Sequence, residues 1–274
     1  MDGQHLVRGP SGQPRISGQR GDRLIWLVTS FAGDAQHTGG VAAHLDTLAR
    51  GLEALGYRVR VITRRSLPGP ALWLISGLVL LNRLASPLGS YLRARAAAWF
   101  LRRHLASAWA KEPPAAIVFE DLHGASPWPV PTLTFVHSLD AEAELTAPRW
   151  RPLLPQAWTR LLQQAYLRWE LGQAARMPAW ATVSDGFWDH LVGRYPETFR
   201  PERGTVIYPG LDVEQALPAG SRSRPGGPSS SSAEGPFVLA SMGLFVPMKN
   251  QGFLLELLAR LPERCRLLLL GDGP

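Results

Sequence analysis

Residues 38–63, TGGVAAHLDTLARGLEALGYRVRVIT, contain the pattern from which the fold can be inferred. Apolar residues recur at helical spacing, which predicts an amphipathic helix with one buried face. They are Val41, Leu45, Leu48, Leu52 and Leu55. Gly56 follows as a C-cap, where a left-handed backbone suits glycine. The alternating, β-branched stretch Arg58–Thr63 predicts a strand, and Leu24–Thr29 predicts another before the helix. This order is a βαβ unit of a parallel sheet.

Two adjacent glycines, Gly39 and Gly40, open the predicted helix. Glycine lets a backbone approach a ligand closely, and the free N–H groups of a helix N-terminus attract anions. A tight turn without any ligand accounts for the pair equally well. The spacing is not G-x-G-x-x-G, so the dinucleotide fingerprint is absent and a nicotinamide-dependent oxidoreductase is disfavoured.

Composition excludes several classes of protein. The 274 residues, 45% of them hydrophobic, can hold one large domain or one domain and part of another. The net charge is +7, but the basic residues are scattered and no basic and aromatic motif accompanies them, so nucleic-acid binding is disfavoured. The single cysteine, Cys265, excludes an intrachain disulfide and a cysteine-based zinc site, and a core or edge role is expected.

Four regions differ in composition along the chain. Residues 1–22 are polar and lack the apolar segment of a signal peptide, so we predict a disordered tail. Residues 23–215 alternate predicted strands and helices, as in an α/β domain. Residues 216–236 are of low complexity and predict a linker. Residues 237–274 predict one helix between two strands, which is too little to cover both faces of a parallel sheet.

The predicted elements after the first unit fall into two sets. The strands are predicted at Ala115–Phe119, Thr132–Val136, Trp180–Val183, Thr205–Tyr208, Phe237–Met242 and Arg266–Leu270. The helices are predicted at Pro155–Ala175, Asp185–Tyr195 and Gln251–Leu261, with Ser184 as a cap. An apolar run at Ala71–Leu81 is too short to span a bilayer and continues as helix to about Ser107. This segment is either a buried helix or one that rests on an anionic membrane surface.

Six segments of the chain, in order, resemble glycosyltransferases of the GT-B fold, specifically the retaining family 4. They are residues 38–63 quoted above, FVHSLD at 135–140, ATVSDGFWDHL at 181–191, VIYPGLD at 206–212, GLFVPMKNQGFLLELLARLP at 243–262 and LLLLGDGP at 267–274. The resemblance covers residues 24–274. It implies a Rossmann-like GT-B N-terminal acceptor domain, residues 23–215, and the first part of a second Rossmann-like, nucleotide-sugar-binding domain.

The resemblance also implies the site residues. Gly39 and Gly40 match the loop whose backbone approaches the donor diphosphate, where helix N–H groups stabilise negative charge. Lys249 matches a cation directed at the same diphosphate, but Leu244 stands where the family usually has an arginine. His137 matches a histidine near the transferred sugar and is the catalytic candidate, for positioning the sugar or orienting the acceptor.

Further positions are possible cleft residues. Gly243 belongs to the motif that contains Lys249. Ser184 is expected chiefly to cap its helix, and Asp212 to form a turn, with a place in the cleft as the alternative for each. Glu170 matches a family glutamate and is expected to be structural.

No metal and no cofactor besides the nucleotide-sugar substrate is expected. The chain has no Asp-x-Asp motif in suitable surroundings. Glu120, Asp121 and His123 in the segment FEDLHG suggest a metal, but the sequence shows no partner cluster for them.

The family pattern continues beyond GDGP with an E-x7-E motif, so we expect a truncated or partial product that lacks about 100 residues. The expected function is transfer of a sugar from a nucleotide diphosphate to a saccharide or lipid-linked acceptor with retention, as in polysaccharide biosynthesis. The alternative is an inactive fragment that binds an acceptor or a partner. A cytoplasmic location is expected, with peripheral contact to the membrane as an option.

Overall fold

The computed structural model describes residues 7–8, 14–15, 23–31, 40–85, 87–142, 155–210, 236–243, 245 and 249–271. The chain forms two compact units. The first comprises residues 1–142 and 150–212, and the second comprises residues 143–149 and 213–274. The predicted linker at 216–236 lies outside the described residues except for its last position.

The first unit alternates strands and helices. Its strands are β1 (Leu24–Val28), β2 (Arg58–Ile62), β3 (Ala116–Phe119), β4 (Thr132–Phe135), β5 (Ala179–Thr182) and β6 (Gly204–Val206). Its helices are α1 (Gly40–Ala54), α2 (Gly69–Leu84), α3 (Leu88–Trp109), α4 (Gln156–Ala174) and α5 (Asp185–Arg194). Short 3₁₀ turns lie at Arg64–Ser66 and Pro201–Arg203, and two-residue strands at Val7–Arg8 and Pro14–Arg15 pair antiparallel.

The six strands form one parallel sheet in the order β2-β1-β3-β4-β5-β6. The predicted α/β class with a Rossmann-like N-terminal domain is therefore confirmed. The chain leaves β1 toward β2 on one side and returns to β3 on the other side, which makes the gap between β1 and β3 a topological switch point. Ligands of open α/β sheets bind at the carboxyl ends of the strands at such a point.

Helices cover both faces of the sheet. On one face, Trp26 and Phe119 pack against Ile75 of α2 and Leu101 of α3. On the other face, Leu27 packs with Leu45 of α1. Burial on both faces explains why β1 is the continuous apolar run LIWLV, with all five residues buried. Packing on both faces therefore keeps the carboxyl ends of the strands in fixed positions.

The long helical segment predicted after residue 71 is two helices, α2 and α3. The break falls at Ala85–Pro87, where Pro87 is the N-cap of α3. Proline has no N–H to donate to the preceding turn and its ring clashes with that turn, so it ends one helix and begins the next. Helix α2 buries Ala71 and Ile75, yet Trp73 is 82% exposed and Leu80 is 61% exposed.

Two local predictions about helix ends are confirmed. Gly56 follows α1 with a φ of 85°, in the left-handed region that favours glycine. Ser184 caps α5, because its side chain accepts a hydrogen bond from the Phe187 N–H at 3.3 Å. The sequence alone was sufficient for both, since each depends on residues within a few positions along the chain.

The second unit contains β7 (Phe237–Met242), α6 (Gln251–Leu258) and β8 (Cys265–Leu270), with β7 and β8 parallel. This is the strand, helix and strand order that the sequence predicted. Cys265 is a half-buried free thiol at the start of β8. Among the described helices of either unit, none combines the length and apolar character needed to cross a bilayer.

Candidate functional site

A small cleft opens at the carboxyl edge of the six-stranded sheet. Its walls come from the loops that follow β1, β3 and β4, from the first turn of α1 and from one residue of α4. The residues that line it are Phe31, Val41, Glu120, Asp121, Leu122, His123, Phe135, His137, Ser138, Asp140 and Glu170. The cleft lies at the switch point between β1 and β3, where open α/β sheets bind ligands.

Asp121 holds the two loops at this switch point together. One carboxylate oxygen, Oδ2, accepts hydrogen bonds from Thr29 Oγ1 at 2.8 Å and from the Ser30 N–H at 2.6 Å. The other, Oδ1, accepts the N–H groups of His123 and Gly124 at 3.0 and 3.1 Å. Because four donors satisfy this carboxylate, Asp121 fixes the cleft floor and is not itself available to a ligand.

His137 contacts a buried carboxylate rather than standing alone. Its Nε2 lies 3.0 Å from Oε2 of Glu120, the residue that follows β3. The Nδ1 atom of His44, on α1, lies 2.8 Å from the same oxygen. We call His44, Glu120 and His137 the bridged cluster, because one carboxylate oxygen joins two imidazoles. The His137 contact uses Nε2, so Nδ1 is the ring nitrogen that can serve a ligand.

The bridged cluster keeps Glu120 ionised although the residue is fully buried. Burial alone raises the pKa of a carboxyl group, but the hydrogen bonds from His137 and His44 outweigh it and hold the pKa of Glu120 below its ordinary value. Phe135 supports both rings, with its centroid 4.6 Å from that of His44 and 5.9 Å from that of His137. The imidazoles are therefore held by an anion on one side and by an aromatic ring on another.

A second cluster lies in the same cleft around His123. Its Nε2 contacts Oε1 of Glu170 at 3.2 Å and the hydroxyl of Tyr166 at 3.2 Å, and it lies 3.7 Å from Oδ2 of Asp140. Glu170 also accepts the backbone N–H groups of Asp140 at 3.1 Å and of Ala141 at 2.9 Å. We call His123, Asp140 and Glu170 the locked cluster, because Glu170 ties α4 to the loop after β4.

His123 is the buried cation of the locked cluster. Burial alone lowers the pKa of an imidazole, but the hydrogen bond to Glu170 and the charges of Asp140 and Asp121 outweigh it and raise the pKa of His123 to about 9. Its side chain is therefore an imidazolium at neutral pH. The cleft thus contains a charged histidine with dedicated partners beside two histidines that share one carboxylate.

The model of the family described as Glycosyltransferase Family 4 matches residues 38–215, more than half of the chain, and this range includes every lining residue of the cleft except Phe31. The chain belongs to glycosyltransferase family 4. The resemblance identified from the sequence motifs is therefore confirmed.

Solved structures give more distant likenesses to this family 4 chain. One is the glycotransferase of kitacinnamycin, with a TM-score of 0.44 and 14% identity over 90% of this chain. Another is CalG4, the calicheamicin glycosyltransferase, with a TM-score of 0.40 and 14% identity over 81% of this chain. The chain spans 65% and 58%, respectively, of the lengths of those two proteins. A comparison with curated protein sequences gives no match.

The structure brings two of the sequence-predicted site residues of the family 4 domain to the cleft. His137 lines it. Gly40 begins α1, and the next residue, Val41, lines the cleft, so the N-terminal turn of α1 borders it. Gly39 and Asp212 lie outside the described residues. Ser184 is not among the lining residues, and its observed contact is the cap of α5.

The predicted donor residues of the second unit lie next to each other. Gly243 has a φ of +152°, a backbone conformation that side chains rarely adopt, and a Cβ built there would lie 4.0 Å from Cε of Lys249. Lys249 is exposed. Leu244, the departure from the family pattern, lies outside the described residues.

The sequence reasoning missed His44 and misjudged Glu120. We expected no partner cluster for the FEDLHG segment, but His44 and His137 both contact Glu120. This expectation was wrong because it considered only neighbours along the chain, whereas parallel strands bring distant loops together. A signal for His44 existed: it lies between Val41 and Leu48 on the buried face of α1, where a polar residue needs a partner.

The structural role expected for Glu170 agrees with its contacts, since it accepts two backbone N–H groups. It also lines the cleft. No local pattern connected Glu170 with His123, which lies 47 positions earlier along the chain.

Proposed function

We propose that the first unit provides the acceptor domain of a retaining glycosyltransferase and that the second unit belongs to its donor domain. The enzyme transfers a sugar from a nucleotide diphosphate donor to a hydroxyl group of a saccharide or lipid-linked acceptor. Family 4 membership supports the reaction class. The single observation that favours this cleft as the place of transfer is the position of His137, held by Glu120 beside the N-terminal turn of α1.

The cleft offers complementary groups for such a reaction. The N–H groups and the dipole of α1 favour negative charge, which develops on the departing diphosphate. His137, with Nε2 fixed by Glu120, positions a sugar or acceptor hydroxyl through Nδ1. By the family resemblance, Lys249 of the second unit is a further candidate for binding the diphosphate. The proposed transfer requires no metal ion.

The role of His137 is tested by transfer assays with nucleotide-sugar donors and saccharide acceptors, in which released nucleoside diphosphate is measured. We expect His137→Ala to lower transfer about a hundredfold, because a misplaced reactant costs about that much. Diphosphate affinity should remain nearly unchanged. His190→Ala is the matched control, since His190, on α5, is exposed, pairs with Glu142 and does not line the cleft. Equal activity of the two variants would contradict the assignment.

The glycine loop is tested by Gly40→Val. A Cβ at Gly40 meets no described atom within 4 Å. A loss of diphosphate binding that is seen with Gly40→Val and not with valine elsewhere on α1 would indicate blocked approach of the ligand. Gly51→Val, on the same helix and equally unobstructed, is the control. We expect Gly40→Val to weaken binding at least tenfold and Gly51→Val to leave it unchanged.

Lys249→Ala should weaken diphosphate binding about tenfold to a hundredfold, because a hydrogen bond to a charged group contributes roughly 1.5–3 kcal/mol.

NMR of the product should show the anomeric configuration of the donor if transfer is retaining. A chain that binds acceptor but consumes no nucleotide sugar would instead support the non-catalytic alternative, a module that binds an acceptor or a partner.

We also propose a peripheral contact between α2 and an anionic membrane. Trp73 and Leu80 are exposed on α2, and Arg103 lies over the exposed ring of Trp99 on α3 at 4.8 Å. Aromatic and basic side chains together favour the interface of an anionic bilayer. The chain should sediment with anionic vesicles at low salt and be released at high salt. Trp73→Ser should reduce sedimentation, whereas Trp158→Ser, at a similarly exposed position on α4, should not.

A further inference from the structure

Two groups of histidine and carboxylate side chains in the described part of the chain have the composition of a metal site. They are the bridged cluster, His44, Glu120 and His137, and the locked cluster, His123, Asp140 and Glu170. Within each group, the three potential ligand atoms lie within 4.8 Å of one another. The contacts of each group decide which one can take an ion.

The spacing within the bridged cluster is close to that of a bound ion. Zinc binds histidine nitrogen and carboxylate oxygen at about 2.0–2.2 Å, so two ligand atoms on one tetrahedral ion lie roughly 3.3 Å apart. The Glu120 Oε2 atom lies 2.8 Å from His44 Nδ1 and 3.0 Å from His137 Nε2. On binding an ion these two distances would lengthen by roughly 0.3–0.5 Å, and the two histidine nitrogens lie within 4.8 Å of each other.

The second carboxylate oxygen of Glu120 gives independent support. Glu120 is fully buried, and Oε1 has no hydrogen-bond partner among the described residues. A buried charged oxygen without a partner is unfavourable, and such a group in a native fold calls for an explanation such as an ion. The two imidazoles contact only Oε2 of Glu120. A cation beside the carboxylate would therefore offset negative charge that these contacts leave uncompensated.

The locked cluster cannot bind a metal ion in the same way. Both oxygens of Glu170 accept backbone N–H groups. Asp140 lies 3.7 Å from His123, whose nitrogen already contacts Glu170. His123 is held as an imidazolium, and a metal ion binds only the neutral ring. Both oxygens of Glu170 and the Nε2 atom of His123 therefore already have partners within the fold.

We propose that His44, Glu120 and His137 bind one divalent transition-metal ion, with Zn²⁺ the preferred metal. Two imidazole nitrogens and one carboxylate oxygen suit zinc and cobalt and do not suit magnesium, which prefers oxygen ligands. Three protein ligands leave a fourth position for water or another ligand, as in catalytic zinc sites. Glu120 and His137 border the cleft, so this position would be accessible from it. The site goes beyond the proposed function, which requires no metal.

The test uses the chain without an affinity tag, stripped of metal with a chelator and titrated with Co²⁺. Four-coordinate Co²⁺ with nitrogen ligands gives visible absorption bands, and we expect these to saturate at one ion per chain. Zn²⁺ should displace Co²⁺, and an equal concentration of Mg²⁺ should not. Zn²⁺ should also raise the midpoint of urea unfolding, since an ion that binds only the folded state stabilises it.

Substitutions of the proposed ligands test whether the ion binds at the bridged cluster. His44→Ala and Glu120→Gln should each weaken Co²⁺ binding more than about a hundredfold, since even substitutions outside the ligand shell cost 10–100-fold. His123→Asn and His190→Ala are controls that should leave the titration unchanged. Circular dichroism shows whether each variant is folded, and His44→Asn replaces His44→Ala if the latter is not.

Three results would overturn the proposal. One is the absence of saturable Co²⁺ absorption in the wild-type chain. Another is the same titration in wild type, His44→Ala and Glu120→Gln, which would mean that the ion binds elsewhere. The third is loss of binding in His123→Asn but not in His44→Ala, which would assign the ion to the locked cluster. In the absence of ion binding, the bridged cluster is a hydrogen-bonded support for His137, and donor binding at Gly40 is unaffected.

Discussion

The bridged cluster and the locked cluster use the same types of residue in one cleft, but they satisfy their charges differently. In the locked cluster, Glu170 accepts two backbone N–H groups and contacts His123, which is an imidazolium with its own partners. In the bridged cluster, one oxygen of Glu120 serves two histidines and the other has no partner among the described residues.

This difference separates structural polar groups from functional ones. A buried carboxylate that is fully hydrogen-bonded to the backbone joins elements of the fold, and its loss is costly to stability. A buried carboxylate with an unused oxygen retains capacity for a ligand, and natural proteins keep such groups chiefly where function requires them. We therefore expect changes to the locked cluster to affect folding and changes to the bridged cluster to affect activity.

The largest effect on stability is expected from Glu170→Gln. The amide would present an N–H group to a backbone N–H of Asp140 or Ala141, and His123 would lose its nearest anion. Breaking a buried charge pair by changing one partner costs about 3–5 kcal/mol of the free energy of unfolding. Urea denaturation at pH 7 measures the loss. A cost no greater than that of Glu120→Gln would contradict the comparison.

The free energy of unfolding should depend on pH because His123 is protonated in the folded chain. Its pKa is raised from an ordinary value of 6.5 to about 9 in the folded chain, so the folded state binds the proton more tightly. The stabilisation is fully present below pH 6.5 and is lost as the pH rises through about 9. A shift of this size corresponds to about 3 kcal/mol. Urea denaturation between pH 6 and 10 should show this decline in wild type and a flatter profile in His123→Asn. Identical profiles would mean that His123 is not the charged group.

Glu120→Gln should cost less, about 1–2 kcal/mol, because the amide oxygen can still accept from both histidines and only the charge assistance is lost. Its effect on sugar transfer should be much larger than its effect on stability. Urea denaturation and the transfer assay on the same preparation separate the two. A loss of stability as great as that of Glu170→Gln would place Glu120 among the structural residues.

The smallest effect is expected from Ser184→Ala, which serves as a reference outside both clusters. The substitution removes the cap of α5, where the Ser184 hydroxyl oxygen accepts the Phe187 N–H. Loss of a serine cap typically costs about 1 kcal/mol. Transfer activity and Co²⁺ binding should not change. A drop in either quantity would return Ser184 to the group of possible cleft residues.

Local sequence was sufficient for most elements of the first unit. The helical spacing after Gly40, the apolar run of β1 and the capping serine of α5 predict structure from neighbours along the chain, and each is observed. The exception is the break between α2 and α3. Pro87 indicated this break in the sequence, but the residues on both sides of it favour helix, so one continuous helix was predicted.

The sequence by itself determined the α/β class, the family motifs and the place of His137 at the end of β4, because periodicity and strand-end position are local properties. Only the tertiary structure decided which side chains meet His137. Glu120 lies 17 positions before it, and His44 lies 76 positions before Glu120. They converge because β1, β3 and β4 are neighbours in the sheet and α1 packs beside their carboxyl ends. Strand order depends on packing among distant segments, so no local pattern specifies the partners of a buried carboxylate.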